Sequence, residues 1–385
     1  MQYLEYIHRI LCGESVMYIY NNKDWPHFHW HSEQLIHTLA TVRHKQGHLL
    51  GKMAGLGFTL QTEAMLETMT LEVIKTSEIE GEILKADQVR SSIARRLGIE
   101  TFGLVRADRD VEGVVEMLLD ATQHYDYPLT KERLFGWHAA LFPTGYSGMY
   151  KITVGDWRTE GDGPMQVISG PMGRERVHFE APAFDRLEEE MQRFLEWFNS
   201  EQLIDPVIKA GIAHLWFVTI HPFDDGNGRI ARTIADLQLS RADTSTQRFY
   251  SMSAQIRKEW GMYYDMLEKT QKGTVDITEW LDWFLACLDR AVVASGEVLN
   301  TVLSKARYWE WLTTKSLNER QKLLLNKLMD GFDGKLTTSK WAKIAKCSQD
   351  TALRDIQNLM AQGILIQEES GGRSTAYLLA PLNER

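Results

Sequence analysis

Cysteine is scarce in this chain, and long apolar runs are missing. The three cysteines, Cys12, Cys287 and Cys347, stand far apart and form no Cys-x-x-Cys pair. This excludes a disulfide framework and a cysteine zinc site, and it favours a reducing, cytoplasmic compartment. No run approaches the roughly 18 apolar residues of a membrane helix, so we expect no membrane partner. The first residues lack the basic segment of a signal peptide.

An excess of positive charge is also missing. The chain has 43 Lys and Arg against 52 Asp and Glu, a net charge of −9. It is not a polycation, so a nucleic-acid role would need a local basic face. A hydrophobic fraction of 44% and a charged fraction of 25% are ordinary for globular proteins, which excludes a mainly disordered chain. The length of 385 residues predicts two or three domains.

Helical periodicity dominates the chain and predicts a mainly α fold. We expect an N-terminal helical domain over 1–105, a helical core over 106–300 and a C-terminal domain over 318–385. The last domain reads as a helix, a helix-turn-helix and two short strands, which predicts a winged helix. Between Pro143 and Pro182 the glycine-rich sequence predicts a long loop with a β-hairpin.

The segment IAHLWFVTIHPFDDGNGRIAR, residues 212–232, is the most informative part of the chain. An apolar helix ends at His221, and a new helix begins near Gly228. Gly226 and Gly228 allow the backbone to approach a ligand closely. The free N–H groups at the new helix start form an anion site suited to a diphosphate. Arg229 and Arg232 lie three residues apart and can reach the same anion.

Two further residues supply the remaining chemistry of phosphoryl-type transfer. Asp225, at the rim of the loop, can hold Mg²⁺ against phosphate oxygens. The neutral imidazole of His221 suits removal of a proton from a hydroxyl near pH 7. An anion cradle, a metal ion, arginines and a base are the parts that such a transfer needs. The alternative is a polar loop between two helices.

HPFDDGNGRIAR resembles the Fic-family signature HxFx(D/E)GNGRxxR at every fixed position. The resemblance implies a mainly helical enzyme, homodimeric as a family type, that transfers AMP from ATP to a Ser, Thr or Tyr hydroxyl of a target protein, itself included. It also allows the reverse removal of AMP. The implied roles are His221 as general base, Asp225 as Mg²⁺ ligand, Gly226, Asn227 and Gly228 as phosphate cradle, Arg229 toward the β-phosphate and Arg232 toward the γ-phosphate, with Phe223 as a core anchor.

A second signature of the same family, [S/T]xxxE[G/N], is matched from Thr76 to Gly81. It falls on a predicted helix at about 61–84, on the face that also carries an apolar stripe. The resemblance implies that a glutamate here pairs with Arg232 and blocks the γ-phosphate. Of Glu78, Glu80 and Glu82, the signature and the stripe both select Glu80 as the inhibitory residue. The alternative is a solvated glutamate at a helix end.

The predicted hairpin has its strands at 165–170 and 176–182. The resemblance implies a flap that pins the target peptide by strand addition, with Val167 and Ile168 near the nucleotide. Tyr264 and Gln271 match positions that contact adenine in related enzymes. An ordinary surface hairpin and helix-surface packing are the alternatives for these residues.

The predicted winged helix leaves its partner open. From 315 to 346 there are eight Lys or Arg against three acids, a local surplus that allows DNA as a partner, whereas the predicted recognition helix carries few base-reading groups. The alternative partner of the winged helix is a protein, either the target or a second copy of this chain. The alternative function for the whole chain is a transcriptional regulator whose Fic site only senses nucleotide. The stretches MYIYNNKDWPHFHW and RDVEGVVEMLLDAT resemble Fic proteins that carry a dedicated N-terminal helical domain, so the resemblance extends from about residue 17 to the end. Residues 1–16 fall outside it, and we hypothesise that Met17 is the natural start.

Overall fold

The computed structural model describes residues 17–99, 104–160, 163–171, 174–329, 332, 334–368 and 375–381. This part of the chain holds fourteen α-helices and three two-stranded antiparallel sheets, which confirms the mainly helical fold. Among the described helices, none combines the length and the apolarity that a bilayer crossing requires. The hypothesis about residues 1–16 and the position of Cys12 lie outside the described residues.

The described chain divides into two compact units. The first takes in residues up to 98 and from 105 to 298, and the second takes in residues 99, 104 and those from 299 onward. The helices that begin in the first unit are α1 (Ser32–Ala54), α2 (Phe58–Ile79), α3 (Ala86–Arg96), α4 (Arg109–Gln123), α5 (Lys131–Leu141), α6 (Leu187–Asn199), α7 (Pro206–Ile220), α8 (Asn227–Asp243), α9 (Met252–Lys258), α10 (Trp260–Gln271) and α11 (Thr278–Leu312). The boundary expected near 105 stays a prediction.

Two consecutive helices, α7 and α8, form the centre of the first unit. Every residue of α7 after Pro206 is buried, as expected for a helix that is apolar on all sides. Asp205 caps this helix, since its carboxylate accepts the N–H of Val207 at 2.8 Å. Proline at the first helical position suits the same start. Because α8 packs along α7, both ends of the loop that joins them are held by buried helices.

Helix α2 carries the predicted apolar stripe, and it starts and stops earlier than the sequence predicted. Leu66, Met69 and Val73 are each at most 1% exposed. The helix runs from Phe58 to Ile79, where about 61–84 was expected. It ends because Gly81 adopts the left-handed conformation, with φ of 84°, which only glycine and a few other residues adopt at low cost.

The glycine-rich segment contains two hairpins. The first pairs β1 (Tyr146–Ser147) with β2 (Tyr150–Lys151), and the second pairs β3 (Gln166–Ser169) with β4 (Arg176–Glu180). The second confirms the predicted hairpin, with a register irregularity between Val167 and Ile168. Phe179 of β4 is 1% exposed and packs edge-on against the rings of Tyr18 and Tyr20. This contact fixes the base of the hairpin.

The second unit contains α12 (Glu319–Met329), α13 (Thr338–Ile344), α14 (Gln349–Ala361) and the antiparallel pair β5 (Leu365–Gln367) and β6 (Tyr377–Leu379). Its core includes Leu324, Trp341 and Ile356. This is the element order predicted for the C-terminal domain. Residues 369–374, at the predicted turn between the strands, lie outside the described residues. On α14, Asp355 is buried and accepts two hydrogen bonds from Arg320, so that carboxylate serves packing within the unit.

Candidate active site

The loop between α7 and α8 is held in shape by its own side chains. His221 ends α7 in the left-handed region, with φ of 53°. The side-chain oxygen of Asn227 accepts the Phe223 N–H at 3.0 Å, and its amide nitrogen donates to the Phe223 carbonyl at 2.8 Å. Phe223 is fully buried and stacks on the ring of His138 at 4.2 Å. Both polar atoms of the Asn227 side chain therefore hold the loop, and this residue offers a ligand its backbone.

Glycines line the surface at the start of α8, where a Cβ would come close to neighbouring side chains. A Cβ at Gly228 would lie 2.4 Å from Oε1 of Glu80 and 3.2 Å from Nη1 of Arg232. Gly226 precedes the helix in the left-handed conformation, with φ of 81°. The first N–H groups of a helix have no partner within it, and they carry the positive end of the helix dipole. The surface thus has the shape and polarity of an anion cradle.

Arg232 reaches this surface from α8 and is tied to α2 by three hydrogen bonds. Its Nε donates to Oγ1 of Thr76 at 2.8 Å, and its Nη2 donates to the Thr76 carbonyl at 3.0 Å and to Oε1 of Glu80 at 2.7 Å. The side chain is 2% exposed. Burial opposes its charge, but Glu80 more than offsets this and raises the pKa of Arg232. The structure thus brings Glu80 and Arg232 together across 152 residues of sequence.

Arg229 makes a parallel contact with a different carboxylate. Its Nη1 donates to Oε2 of Glu82 at 2.7 Å, and its guanidinium lies over the ring of Phe142, 5.2 Å from the centroid. Burial raises the pKa of the Glu82 carboxyl, and Arg229 offsets part of that rise. Sequence reasoning considered Glu82 and set it aside, because it lies outside the stripe that selected Glu80.

Each arginine keeps one buried donor free for a ligand. Within the described residues, Nε of Arg229 and Nη1 of Arg232 are buried and have no hydrogen-bond partner. A buried charged donor without a partner costs about 1–3 kcal/mol or more, which an incoming anion would recover. This observation fits the phosphate groups of a nucleotide.

His221 has the protonation state that a general base requires. Its Nδ1 lies 3.2 Å from the Val218 carbonyl, so Nδ1 carries the proton and Nε2 keeps a lone pair. Burial lowers the pKa of His221 to about 4, which leaves the ring neutral at pH 7. Arg158, a residue that the sequence did not single out, donates from Nε to the His221 carbonyl at 3.0 Å and steadies the left-handed turn.

Asp225 is oriented by three neighbours. One carboxylate oxygen accepts the Gly226 N–H at 2.6 Å, and the other accepts the hydroxyl of Ser147. The Asp225 carbonyl lies 3.2 Å from Nε2 of His138, whose Nδ1 accepts the Gly155 N–H at 3.2 Å. His138 therefore donates from Nε2. No sequence pattern linked Ser147 or His138 to this loop.

The carboxylate of Asp225 fits one metal ion better than others. Within the described residues, no group of three or more His, Cys, Asp or Glu could enclose a metal. A lone carboxylate beside a phosphate cradle suits Mg²⁺, which keeps several waters and takes other ligands from substrate phosphates.

The residues predicted near the nucleotide base and the target lie on the flap and on α10. Val167 is half-buried and Ile168 is 55% exposed. Tyr264 is 37% exposed. Burial of its ring and, to a smaller extent, the nearby Glu80 carboxylate raise the pKa of the Tyr264 hydroxyl to about 12. Gln271 is buried and donates to Oγ1 of Thr219 at 3.2 Å, so its amide nitrogen is engaged in the core.

The hairpin of β3 and β4, which was predicted as a flap, contacts α10 through charged side chains. Nδ1 of His178 lies 2.6 Å from Oε2 of Glu268, and Arg176 donates to Oε1 of the same carboxylate at 2.9 Å. Hydrogen bonds from Lys272, His178 and Arg176 lower the pKa of Glu268 to about 2, against its burial.

Two stretches of the chain match known family models. Residues 128–239 match the model of the Fic/DOC family, and they include the loop, Arg229 and Arg232. The chain carries a Fic domain. Residues 18–99, ahead of the Fic domain, match a separate family described as a domain of unknown function, DUF4172.

Curated relatives of the Fic domain are named protein adenylyltransferases. One from Culex quinquefasciatus is 36% identical over 104 residues, 26% of this chain and 19% of that protein. Another, fic-1 of Caenorhabditis elegans, is 28% identical over 180 residues, 46% of this chain and 33% of that protein. The chain thus spans one third or less of the length of these two relatives.

The solved structures to which this chain is similar include two Fic proteins. A Fic family protein from Desulfovibrio desulfuricans is 19% identical, with a TM-score of 0.48, over 90% of this chain and 97% of that one. Residues 134–508 of Fic-1 from C. elegans are also 19% identical, with a TM-score of 0.47, over 70% of this chain and 76% of that one.

Proposed function

We propose that this chain is an autoinhibited protein adenylyltransferase that transfers AMP from ATP to a Ser, Thr or Tyr hydroxyl of a protein. One observation carries the proposal: Arg229 and Arg232 of α8 each keep a buried donor without a hydrogen-bond partner in the described structure. That donor of Arg232 lies beside Gly228, and a neutral histidine ends the preceding helix. This is the set of groups that phosphoryl-type transfer needs. The curated relatives are named protein adenylyltransferases, which supports AMP as the transferred group.

The proposed reaction transfers one proton, forms one phosphorus–oxygen bond and breaks another. The target hydroxyl oxygen attacks the α-phosphorus of ATP, and its proton passes to Nε2 of His221. The bond from the α-phosphorus to the bridging oxygen breaks, and pyrophosphate leaves. The N–H groups of Asn227 and Gly228, with Arg229 and Arg232, stabilise the charge on the β- and γ-phosphates, and Gly226 lets the backbone approach them closely. Asp225 would hold Mg²⁺, which neutralises phosphate charge when bound.

Glu80 keeps the enzyme inactive in this proposal. Its carboxylate lies on Arg232 and in the space that a Cβ of Gly228 would occupy. A negative group there repels the γ-phosphate and removes an Arg232 donor from it. The same carboxylate could orient a water for the reverse removal of AMP.

The remaining expectations belong to this proposal as well. We propose Val167 and Ile168 as flap contacts to the target or nucleotide, Tyr264 as an adenine contact, and a homodimeric, cytoplasmic protein. The domain boundaries at 105 and 318 and the winged helix, with a protein or DNA partner, are also kept as proposals. The nucleotide-sensing regulator has no specific observation in its favour.

Labelled ATP tests the proposed transfer directly. The Glu80→Gly protein is incubated with Mg²⁺, a cell lysate and ATP carrying the label on either the α- or the γ-phosphate. We expect protein to retain only the α-label, since pyrophosphate leaves with the other two phosphates. Retention of the γ-label would indicate a kinase. Retention of neither label, from protein that still binds ATP, would contradict AMP transfer.

The pH dependence of transfer should show the lowered pKa of His221. The base acts in its neutral form, so a pKa lowered to about 4 keeps it active as the pH falls. An unshifted histidine would be only about one quarter neutral at pH 6. We expect kcat/KM of the Glu80→Gly protein to change less than about twofold between pH 7.5 and 6.0. A decline centred near pH 6.5, with nucleotide binding unchanged, would contradict this assignment.

A further inference from the structure

The turn that ends α2 places two carboxylates side by side. The Glu82 N–H donates to the Ser77 carbonyl at 3.0 Å, and the Gly81 N–H donates to the Glu78 carbonyl at 3.2 Å. With Gly81 left-handed, these bonds form a Schellman motif. Such a motif fixes the backbone on both sides of the glycine. The side chains of Glu80 and Glu82 therefore both extend from the same rigid turn.

Each of these carboxylates engages a different arginine of the Fic motif. Oε1 of Glu80 lies 2.7 Å from Nη2 of Arg232, and Oε2 of Glu82 lies 2.7 Å from Nη1 of Arg229. The two arginine side chains are only 2% and 4% exposed. Buried guanidinium groups bind carboxylates more strongly than surface ones do. The turn thus occupies both arginines at once.

We infer that Glu82 is a second inhibitory residue, which competes with the β-phosphate for Arg229 while Glu80 competes with the γ-phosphate for Arg232. The inference rests on the proposed function for the assignment of each arginine to a phosphate. Glu82 is 45% exposed and Glu80 is 30% exposed, so the second contact is the weaker one. Release of Glu80 alone leaves the enzyme partly inhibited.

The two contacts can be separated by the choice of nucleotide. ADP has a β-phosphate but no γ-phosphate, so its affinity should respond mainly to Glu82, whereas that of ATP should respond to both glutamates. Binding is measured by calorimetry with MgADP and MgATP, on the full chain carrying His221→Ala to prevent turnover. Glu80→Gln, Glu82→Gln and their combination are compared. Glu78→Gln is the matched control, because Glu78 pairs with Lys75.

We expect Glu82→Gln to raise ADP affinity about fivefold, and Glu80→Gln to raise ATP affinity about tenfold with less than a twofold effect on ADP. The double variant should combine both gains, and Glu78→Gln should change neither nucleotide by as much as twofold. In a His221-intact chain, Glu80→Gly/Glu82→Gln should transfer AMP about fivefold faster than Glu80→Gly.

Two results would overturn the inference in distinguishable ways. If the Glu82→Gln variant binds both nucleotides with the affinity of its parent, the inhibitory role of Glu82 is refuted and the proposed function still stands. Failure of every variant to bind either nucleotide, with thermal unfolding showing folded protein, would refute both. Gly81→Asn provides an independent test, since asparagine tolerates the left-handed conformation and should preserve both contacts, whereas Gly81→Val should weaken them together.

Discussion

Replacing His221 with alanine in the Glu80→Gly protein should lower AMP transfer by about 10²- to 10⁴-fold, the usual contribution of a general base. The reason is the position of the lone pair. Nδ1 faces the Val218 carbonyl, so Nε2 is the atom that can accept the proton of an attacking hydroxyl. The ring is neutral at pH 7 because burial lowers its pKa to about 4.

The loss should lie in kcat, with ATP affinity nearly unchanged. The contacts assigned to the phosphates come from Arg229, Arg232 and the N–H groups of α8, and none of them uses the imidazole. Binding of ATP to the variant is measured by calorimetry, and transfer is measured with the α-label. His138→Ala is an unsuitable control because His138 contacts the Asp225 carbonyl. Transfer within tenfold of the parent would show that another group takes the proton.

Glu80→Gly should raise AMP transfer by about 10- to 100-fold over the unmodified chain. A hydrogen bond to a charged group contributes about 1.5–3 kcal/mol, and each 1.4 kcal/mol corresponds to a factor of ten. The variant removes the carboxylate from Nη2 of Arg232 and opens the space above Gly228. Thr76 still accepts two hydrogen bonds from Arg232, so the guanidinium stays in place for the γ-phosphate.

The matched control for this variant is Glu78→Gly, two residues earlier on the same helix end. Glu78 pairs with Lys75 at 2.5 Å and contacts neither motif arginine in the described structure. Its loss should leave transfer near the level of the unmodified chain. Equal activation by both variants would mean that loosening of α2, rather than release of Arg232, relieves the inhibition. Unchanged transfer by Glu80→Gly would contradict inhibition through this carboxylate.

The proposed roles of the motif residues depend on local geometry, which a sequence pattern can indicate. A helix that ends at His221, two glycines and a new helix start favour an anion site. Arg229 and Arg232 share a face of α8 because they are three residues apart. The resemblance to the Fic family implied the burial of Phe223, and the glycine-rich pattern predicted the hairpin at 166–180. The predicted chemistry of the site therefore depends mainly on the consecutive residues 221–232.

Local sequence patterns were less informative about residues that could serve either ligand binding or the fold. The resemblance implied that Asn227 cradles the phosphates; the structure shows that its side chain is bonded to the Phe223 backbone, so its backbone is the part open to a phosphate. The end of α2 was expected near 84, but left-handed Gly81 stops the helix at Ile79. That early turn is what points Glu82 toward Arg229.

The sequence by itself predicts a phosphate-binding loop and a histidine base, and the family signature together with the apolar stripe selected Glu80, which the structure pairs with Arg232. Only the tertiary structure decided the contacts between distant segments: Glu82 with Arg229 across 147 residues, Ser147 with Asp225 across 78, and Arg158 with His221 across 63. Helical and strand periods fix which residues share a face within one element. They carry no information on which elements meet, because that depends on how α2 and the hairpins pack around α8.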